Sequence, residues 1–190
     1  MTNLPDRLES SQPYSGIQRL FHWLTLVLVA SQFAIAWTMS DPPKGQPPVG
    51  LMSLHLSFGL TILVVTLLRL IWRVSHSVPV APRDIPKWQQ TASRATHLAL
   101  YAILIGLPLA GWVWASAKGW PVKIFGLVEL PTLVAARSAS GSIAATVHEA
   151  LGIALLGLVA IHSAAALRHH FLLKDGVLRR MLPALQDRST

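Results

Sequence analysis

The sequence predicts an all-α integral membrane protein, a four-helix bundle forming one domain over residues 1–190. Three observations predict it. Hydrophobic residues make up 52% of the chain and charged residues only 13%, and the mean hydropathy is +0.49, values outside the range of ordinary soluble domains. The apolar residues are gathered into four stretches, Phe21–Met39, Leu51–Trp72, Thr96–Ser116 and Ile143–Leu167. Each is close to the about 20 residues a helix needs to cross the hydrocarbon. None shows strand-like alternation, and backbone groups in lipid must be satisfied within the segment, which favours helices.

The breaks between the stretches are equally clear. Asp41-Pro42-Pro43-Lys44-Gly45-Gln46-Pro47-Pro48 cannot continue a helix, because proline lacks the amide donor and fixes φ. Pro79, Pro82 and Pro86 separate the second and third runs, and Lys118–Gly141 is the longest connection. That connection has room for a short interfacial segment. Pro108 lies inside the third run and is expected to kink it unless neighbours compensate.

Charge sets the orientation. Arg7, Arg19, Arg69, Arg73, Arg83, Lys87, Arg94, Arg168, Lys174, Arg179, Arg180 and Arg188 fall on one side of the four spans. Only Lys44, Lys118, Lys123 and Arg137 fall on the other. The positive-inside rule then places both termini in the cytoplasm. The same distribution accounts for the net charge of +8 without invoking nucleic acid, since the cations sit at helix ends beside apolar runs. Mostly polar residues precede the first run and Asp-Pro-Pro follows it, so the first helix is expected to be retained rather than cleaved. There is no cysteine, which excludes disulfides, iron–sulfur clusters and covalent c-type haem attachment together.

Four histidines carry the chemistry. His22 opens the first run, His55 opens the second, and His148 and His162 lie 14 residues apart on the last. Four helical turns take about 14.4 residues, so the last two share one face about 21 Å apart along the axis. Depth permits two cross-helix pairs, His22 with His162 and His55 with His148. A neutral imidazole is a common axial ligand of haem iron, so the pattern points to two b-type haems stacked across a membrane. A lone histidine at a helix end is ordinarily an interfacial residue; four at matched depths are not so easily dismissed. Gly59, Gly152 and Ala166 each follow a candidate ligand by four residues, where a small side chain leaves space for a flat ring. Close helix packing through small residues explains them equally well.

His97, at the start of the third run, competes by depth with His22 as partner of His162. His169 lies two turns beyond His162 on the same stripe. Two further imidazoles beside a haem at the inner interface suit a place where protons and electrons meet, as quinone reduction requires. Arg19, Arg69, Arg73 and Arg94 gather at the inner helix ends, where they serve topology or pair haem propionates. His76 and His170 are read as solvated or outward-facing.

With these residues in view the chain resembles the bacterial cytochrome b561 family, in particular its small di-haem superoxide:ubiquinone oxidoreductases (superoxide oxidases). The resemblance covers nearly the whole chain. It is anchored by Ile17-Gln18-Arg19-Leu20-Phe21-His22-Trp23, by His55 with Gly59, by His97-Leu98-Ala99-Leu100-Tyr101, and by His148-Glu149-Ala150-Leu151 through His162 to His169-His170-Phe171 and Lys174-Asp175. It implies that His22 and His162 hold an inner haem b, that His55 and His148 hold an outer one, and that His97 and His169 contact ubiquinone. It implies that superoxide is oxidised to dioxygen at the periplasmic face of the inner membrane and ubiquinone is reduced at the other, with no protein partner required. The same scaffold resembles the cytochrome b subunits that anchor hydrogenases and formate dehydrogenases, which relay electrons to a docked partner. Lys118, Lys123 and Arg137 are the outer cations that would attract superoxide, opposed by Glu129 and Glu149.

Overall fold

The computed structural model describes residues 14–76, 85–175 and 177–182. Arg7, Arg83 and Arg188, and the Pro79/Pro82 break, lie outside the described residues. Four helices run antiparallel in sequence order: α1 (Gly16–Thr38), α2 (Gly50–Ser75), α3 (Lys87–Ala117) and α4 (Ser140–Arg168). All four are long and apolar enough to cross a membrane. Leucine, valine and isoleucine side chains such as Val27, Leu68, Ile153 and Ile161 point outward and exposed, as a lipid-facing surface requires. The buried core is a narrow column in which Leu28, Val29, Ile62, Val65, Leu104 and Leu155 meet at the bundle centre.

All four helices begin before their apolar runs. Ser15 caps α1, its hydroxyl accepting from the Gln18 N–H while the Gln18 side chain accepts from the Ser15 N–H. This reciprocal box satisfies two orphan donors and starts the helix at Gly16. α3 starts at Lys87, directly after Pro86, nine residues ahead of the predicted apolar run. It continues unbroken through Pro108, which is buried inside it.

The connection after α3 is more ordered than the sequence implies. Strands β1 (Lys123–Ile124) and β2 (Val128–Glu129) form an antiparallel hairpin with Lys123 opposite Glu129. Those two side chains pair at 3.2 Å. The turn needs positive φ at Phe125 (49°) and Gly126 (73°), and a bulky residue pays a steric penalty there. Its amide donates to Ser57 Oγ at 3.0 Å, its ring meets Phe58 edge-on at 5.7 Å, and the Ser57 hydroxyl donates toward the Ser53 and Lys123 carbonyls. Ser57, on α2, is 1% exposed and so is the dock for the hairpin. Where α3 ends and α4 begins the helices nearly touch: a Cβ on Gly141 would come within 2.5 Å of the Ala117 Cβ.

At the opposite end, called here the terminal face, α4 runs into a π-helical turn (His169–Leu173) and then a 3₁₀ turn (Arg179–Met181). This tail is tied to the start of α1. Arg19 Nη1 donates to the Leu182 carbonyl at 2.8 Å and Trp23 Nε1 to the Met181 carbonyl at 2.9 Å. The Tyr14 amide donates to the Arg180 carbonyl at 3.2 Å.

Candidate functional site

α4 carries His148 toward the hairpin face and His162 toward the terminal face, and each finds another imidazole across the bundle. The His55 and His148 ring centroids are 6.1 Å apart, and those of His22 and His162 are 6.3 Å apart. Two imidazoles on opposite sides of one first-row metal ion, each at about 2.0 Å with ring centres about 1 Å further out, have centroids about 6 Å apart. Both pairs match this spacing.

The hairpin-side pair lines a cavity of about 470 Å³ with apolar walls, in the size range of sites that bury cofactors. Val29, Phe33, Leu60, Leu104, Trp112 and Val122 form much of the lining. The His148 Nδ1–H donates to the Leu107 carbonyl at 2.9 Å, which fixes the tautomer and leaves the Nε2 lone pair free for a metal. The opposing ring is less satisfied: His55 Nδ1 and Gln32 Oε1 are buried without a hydrogen-bond partner among the described residues. Gln32 Nε2 meanwhile donates to the His55 backbone carbonyl at 2.9 Å. An apolar chamber with one prepared imidazole and one orphaned opposite it fits a flat iron macrocycle held by coordination and packing.

Sequence reasoning put the ring's space at Gly59 and Gly152. The structure separates them: a Cβ on Gly152 would meet nothing within 4 Å, while one on Gly59 would press on Gln32 Nε2 at 3.1 Å. The residue that makes room for the ligand itself is Gly111 on α3, where a Cβ would stand 3.0 Å from His148 Cε1 and Nδ1. Gly111 carried no signal, because its helix supplies no ligand to this pair and the contact is non-local. Gly111→Val is expected to displace the His148 ring, break its bond to Leu107 and lower haem occupancy at this site about tenfold; haem-to-protein ratio reads the loss.

The terminal-side site brings three imidazoles together. His97 reaches His162 with ring centroids 5.2 Å apart, closer than the spacing one metal ion needs, whereas His22 stands at that spacing. The His97 Nδ1–H is bonded to the Ser93 carbonyl of its own helix at 2.6 Å. Arg69 lies beside His22, Nη2 to Nδ1 at 3.4 Å, and over the Tyr101 ring at 5.4 Å. A small cleft here is lined by Gln18, Arg69, Trp72, Arg73 and Tyr101. Among the described residues neither arginine has a carboxylate partner and Trp72 Nε1 is buried with no acceptor. Together they offer donors that an anion such as a propionate could take up, Arg69 beside its contacts with His22 and Tyr101. Arg19 is instead committed to the tail, and His76 stacks on Trp72 at 3.7 Å. His169 does not join the cluster through a ring contact; its Nδ1 is bonded to Asp175.

Comparison with known proteins identifies the family. A family model described as prokaryotic cytochrome b561 matches residues 13–184. The chain is 32% identical over 186 residues to cytochrome b561 homolog 2 of Escherichia coli (strain K12), covering 95% of this chain and 94% of that one. It is 32% identical over 171 residues to cytochrome b561 homolog 1 of the same strain, covering 90% and 97%. It is 30% identical over 178 residues to the probable superoxide oxidase CybB of Yersinia pestis, covering 90% and 96%. The chain therefore belongs to the prokaryotic cytochrome b561 family, as a multi-pass membrane protein built to carry b-type haem.

Proposed function

We propose that the chain holds two b haems, one between His55 and His148 and one between His22 and His162, and acts as a superoxide:ubiquinone oxidoreductase. In this reading superoxide is oxidised to dioxygen at the hairpin face, on the periplasmic side of a bacterial inner membrane. Ubiquinone is reduced at the terminal face, and both termini are cytoplasmic. The observation that carries the reading is the presence of two imidazole pairs at metal-spanning separation, about 21 Å apart along one helix. The name of the Yersinia pestis relative supports the choice of superoxide as donor.

Haem bound in these sites supplies the one-electron chemistry that side chains lack. The protein's part is to hold, orient and shield. Leu107 and Gly111 set the His148 ring, and the apolar chamber keeps water from the iron. Arg69, Arg73 and Trp72 offer donors to propionates at the terminal side. His97 and His169 are the ubiquinone contacts, placed where protons arrive from the aqueous phase.

At the hairpin face Lys118 and Lys123 are not equivalent. Lys123 is paired with Glu129, whereas the Lys118 ammonium lies between two indoles, 5.6 Å from the Trp114 centroid and 5.2 Å from that of Trp120. Trp114 in turn lies 6.0 Å from His148. A cation held over aromatic faces keeps its place. Lys118→Glu is expected to slow reduction of the protein by superoxide about tenfold at low salt, with the difference shrinking as ionic strength rises. Equal rates for the two proteins at all salt concentrations would remove Lys118 from the approach path.

Stopped-flow absorbance of the purified oxidised protein mixed with superoxide tests the whole reading. The expected result is rapid haem reduction with about two haems per chain, followed by reoxidation on adding ubiquinone. Two haems that ignore superoxide would mean an electron relay serving a docked dehydrogenase or hydrogenase, detectable as stable co-purification with that partner.

A further inference from the structure

The last helix does not simply stop at Arg168. It widens into the π-helical turn His169–Leu173, and Lys174 then takes the left-handed conformation, φ 52° and ψ 32°. Single π turns are rare and are frequently found at functional sites. Here the wide turn followed by a left-handed residue reverses the chain and brings Asp175 back against the first residue of the turn. The His169 Nδ1–H donates to Asp175 Oδ2, and Asp175 Oδ1 accepts from the Val177 amide at 3.1 Å. The two side chains are only 16% and 21% exposed. Both carboxylate oxygens are thus committed, one to the backbone and one to the imidazole. His169 is the one basic side chain paired with Asp175 among the described residues.

A carboxylate on Nδ1 does two things to an imidazole. It pins the proton on that nitrogen, leaving Nε2 as the working nitrogen, and it faces the positive charge that forms when Nε2 is also protonated. The Val177 amide in turn keeps the carboxylate from rotating away. His169 stands two helical turns beyond His162 on the same stripe of α4, at the end nearer the aqueous phase.

We propose that Asp175 is the positioning residue of a His169–Asp175 dyad that delivers one of the two protons consumed in quinone reduction. The inference rests on the ubiquinone reading above. Two superoxide anions each lose one electron and leave as two dioxygen molecules; the quinone gains two electrons and two protons, and its two carbonyl oxygens become hydroxyls. In one of the two proton transfers the His169 Nε2–H bond breaks and an O–H bond forms on the quinone. His169 remains as the neutral Nδ1–H tautomer held by Asp175, and water at the terminal face restores the Nε2 proton.

The test uses the purified holoprotein with Asp175→Asn and Asp175→Glu. Each variant is read for haem content, for haem reduction by superoxide, and for reoxidation by ubiquinone at several quinone concentrations. Asp175→Asn preserves size and is expected to keep both haems and the superoxide-driven step. It is expected to slow maximal reoxidation at least about tenfold with little change in the quinone concentration for half-maximal rate. The slowed step acquires a larger solvent deuterium isotope effect, and Asp175→Glu, which keeps the charge, recovers most of the rate. Wild-type reoxidation in Asp175→Asn overturns the dyad while leaving the ubiquinone reading intact. Loss of haem in Asp175→Asn and Asp175→Glu alike overturns it in favour of a structural role for the tail. A wild-type protein that ubiquinone cannot reoxidise overturns both readings.

Discussion

Replacing His148 with alanine is expected to halve the haem content, from about two haems per chain to one, and to lower the rate of reduction by superoxide at least about a hundredfold. The ring it removes is the one prepared for a metal, with Nδ1–H committed to Leu107 and Gly111 cleared behind it. Among the described residues no other imidazole lines this chamber: the rings in contact with His148 are those of His55 and Trp114, and indole has no lone pair to offer iron. His55→Ala is expected to give the same single-haem protein, because the pair acts as one unit. The haem-to-protein ratio and the number of spectroscopically distinct b-type signals decide the matter. If both single variants retain two haems, the pairing across α2 and α4 is wrong.

At the terminal face the decisive comparison is between His22 and His97. His22→Ala is expected to strip the second haem, with occupancy falling at least about tenfold, while His97→Ala keeps both haems and impairs reoxidation by ubiquinone. Geometry supports this division, because His22 stands 6.3 Å from His162 and His97 only 5.2 Å, both by ring centroid. The distinction matters because both rings touch the same third imidazole and either would look like a ligand by proximity. Haem loss on His97→Ala with retention on His22→Ala would exchange their roles.

Much of this arrangement was legible in the chain. Four apolar runs named four helices, and a 14-residue spacing put His148 and His162 on one face, since helical periodicity is a local property. The helix starts were not read so well. The apolar runs measure hydrocarbon thickness, not helix length, so the polar first turns of α3, with Lys87, Gln89, Gln90 and Arg94, project beyond what hydropathy marks. From residue spacing alone His97 and His22 competed for His162; what spacing could not supply is the difference in their ring distances, 5.2 and 6.3 Å by centroid. Contacts that cross the bundle left no trace in spacing. Gly111 clears room for a histidine on another helix, Ser57 seats a hairpin more than 60 residues later, and the His169–Asp175 pair depends on a π turn that no residue pattern announces.

The placement of the four histidines also bears on the life of the protein in the cell. Each pair joins α4 to α1 or α2, yet α4 packs chiefly on α3, and α1 chiefly on α2. The two imidazole pairs therefore bridge the two halves of the bundle where packing is thinnest, and a cofactor bound between them, as proposed, would fasten the halves together. Ligands that bind only the folded state stabilise it in proportion to their supply. The amount of this protein that survives membrane quality control is then expected to fall when haem is scarce, a drop that its level in the membranes of haem-limited cells would show.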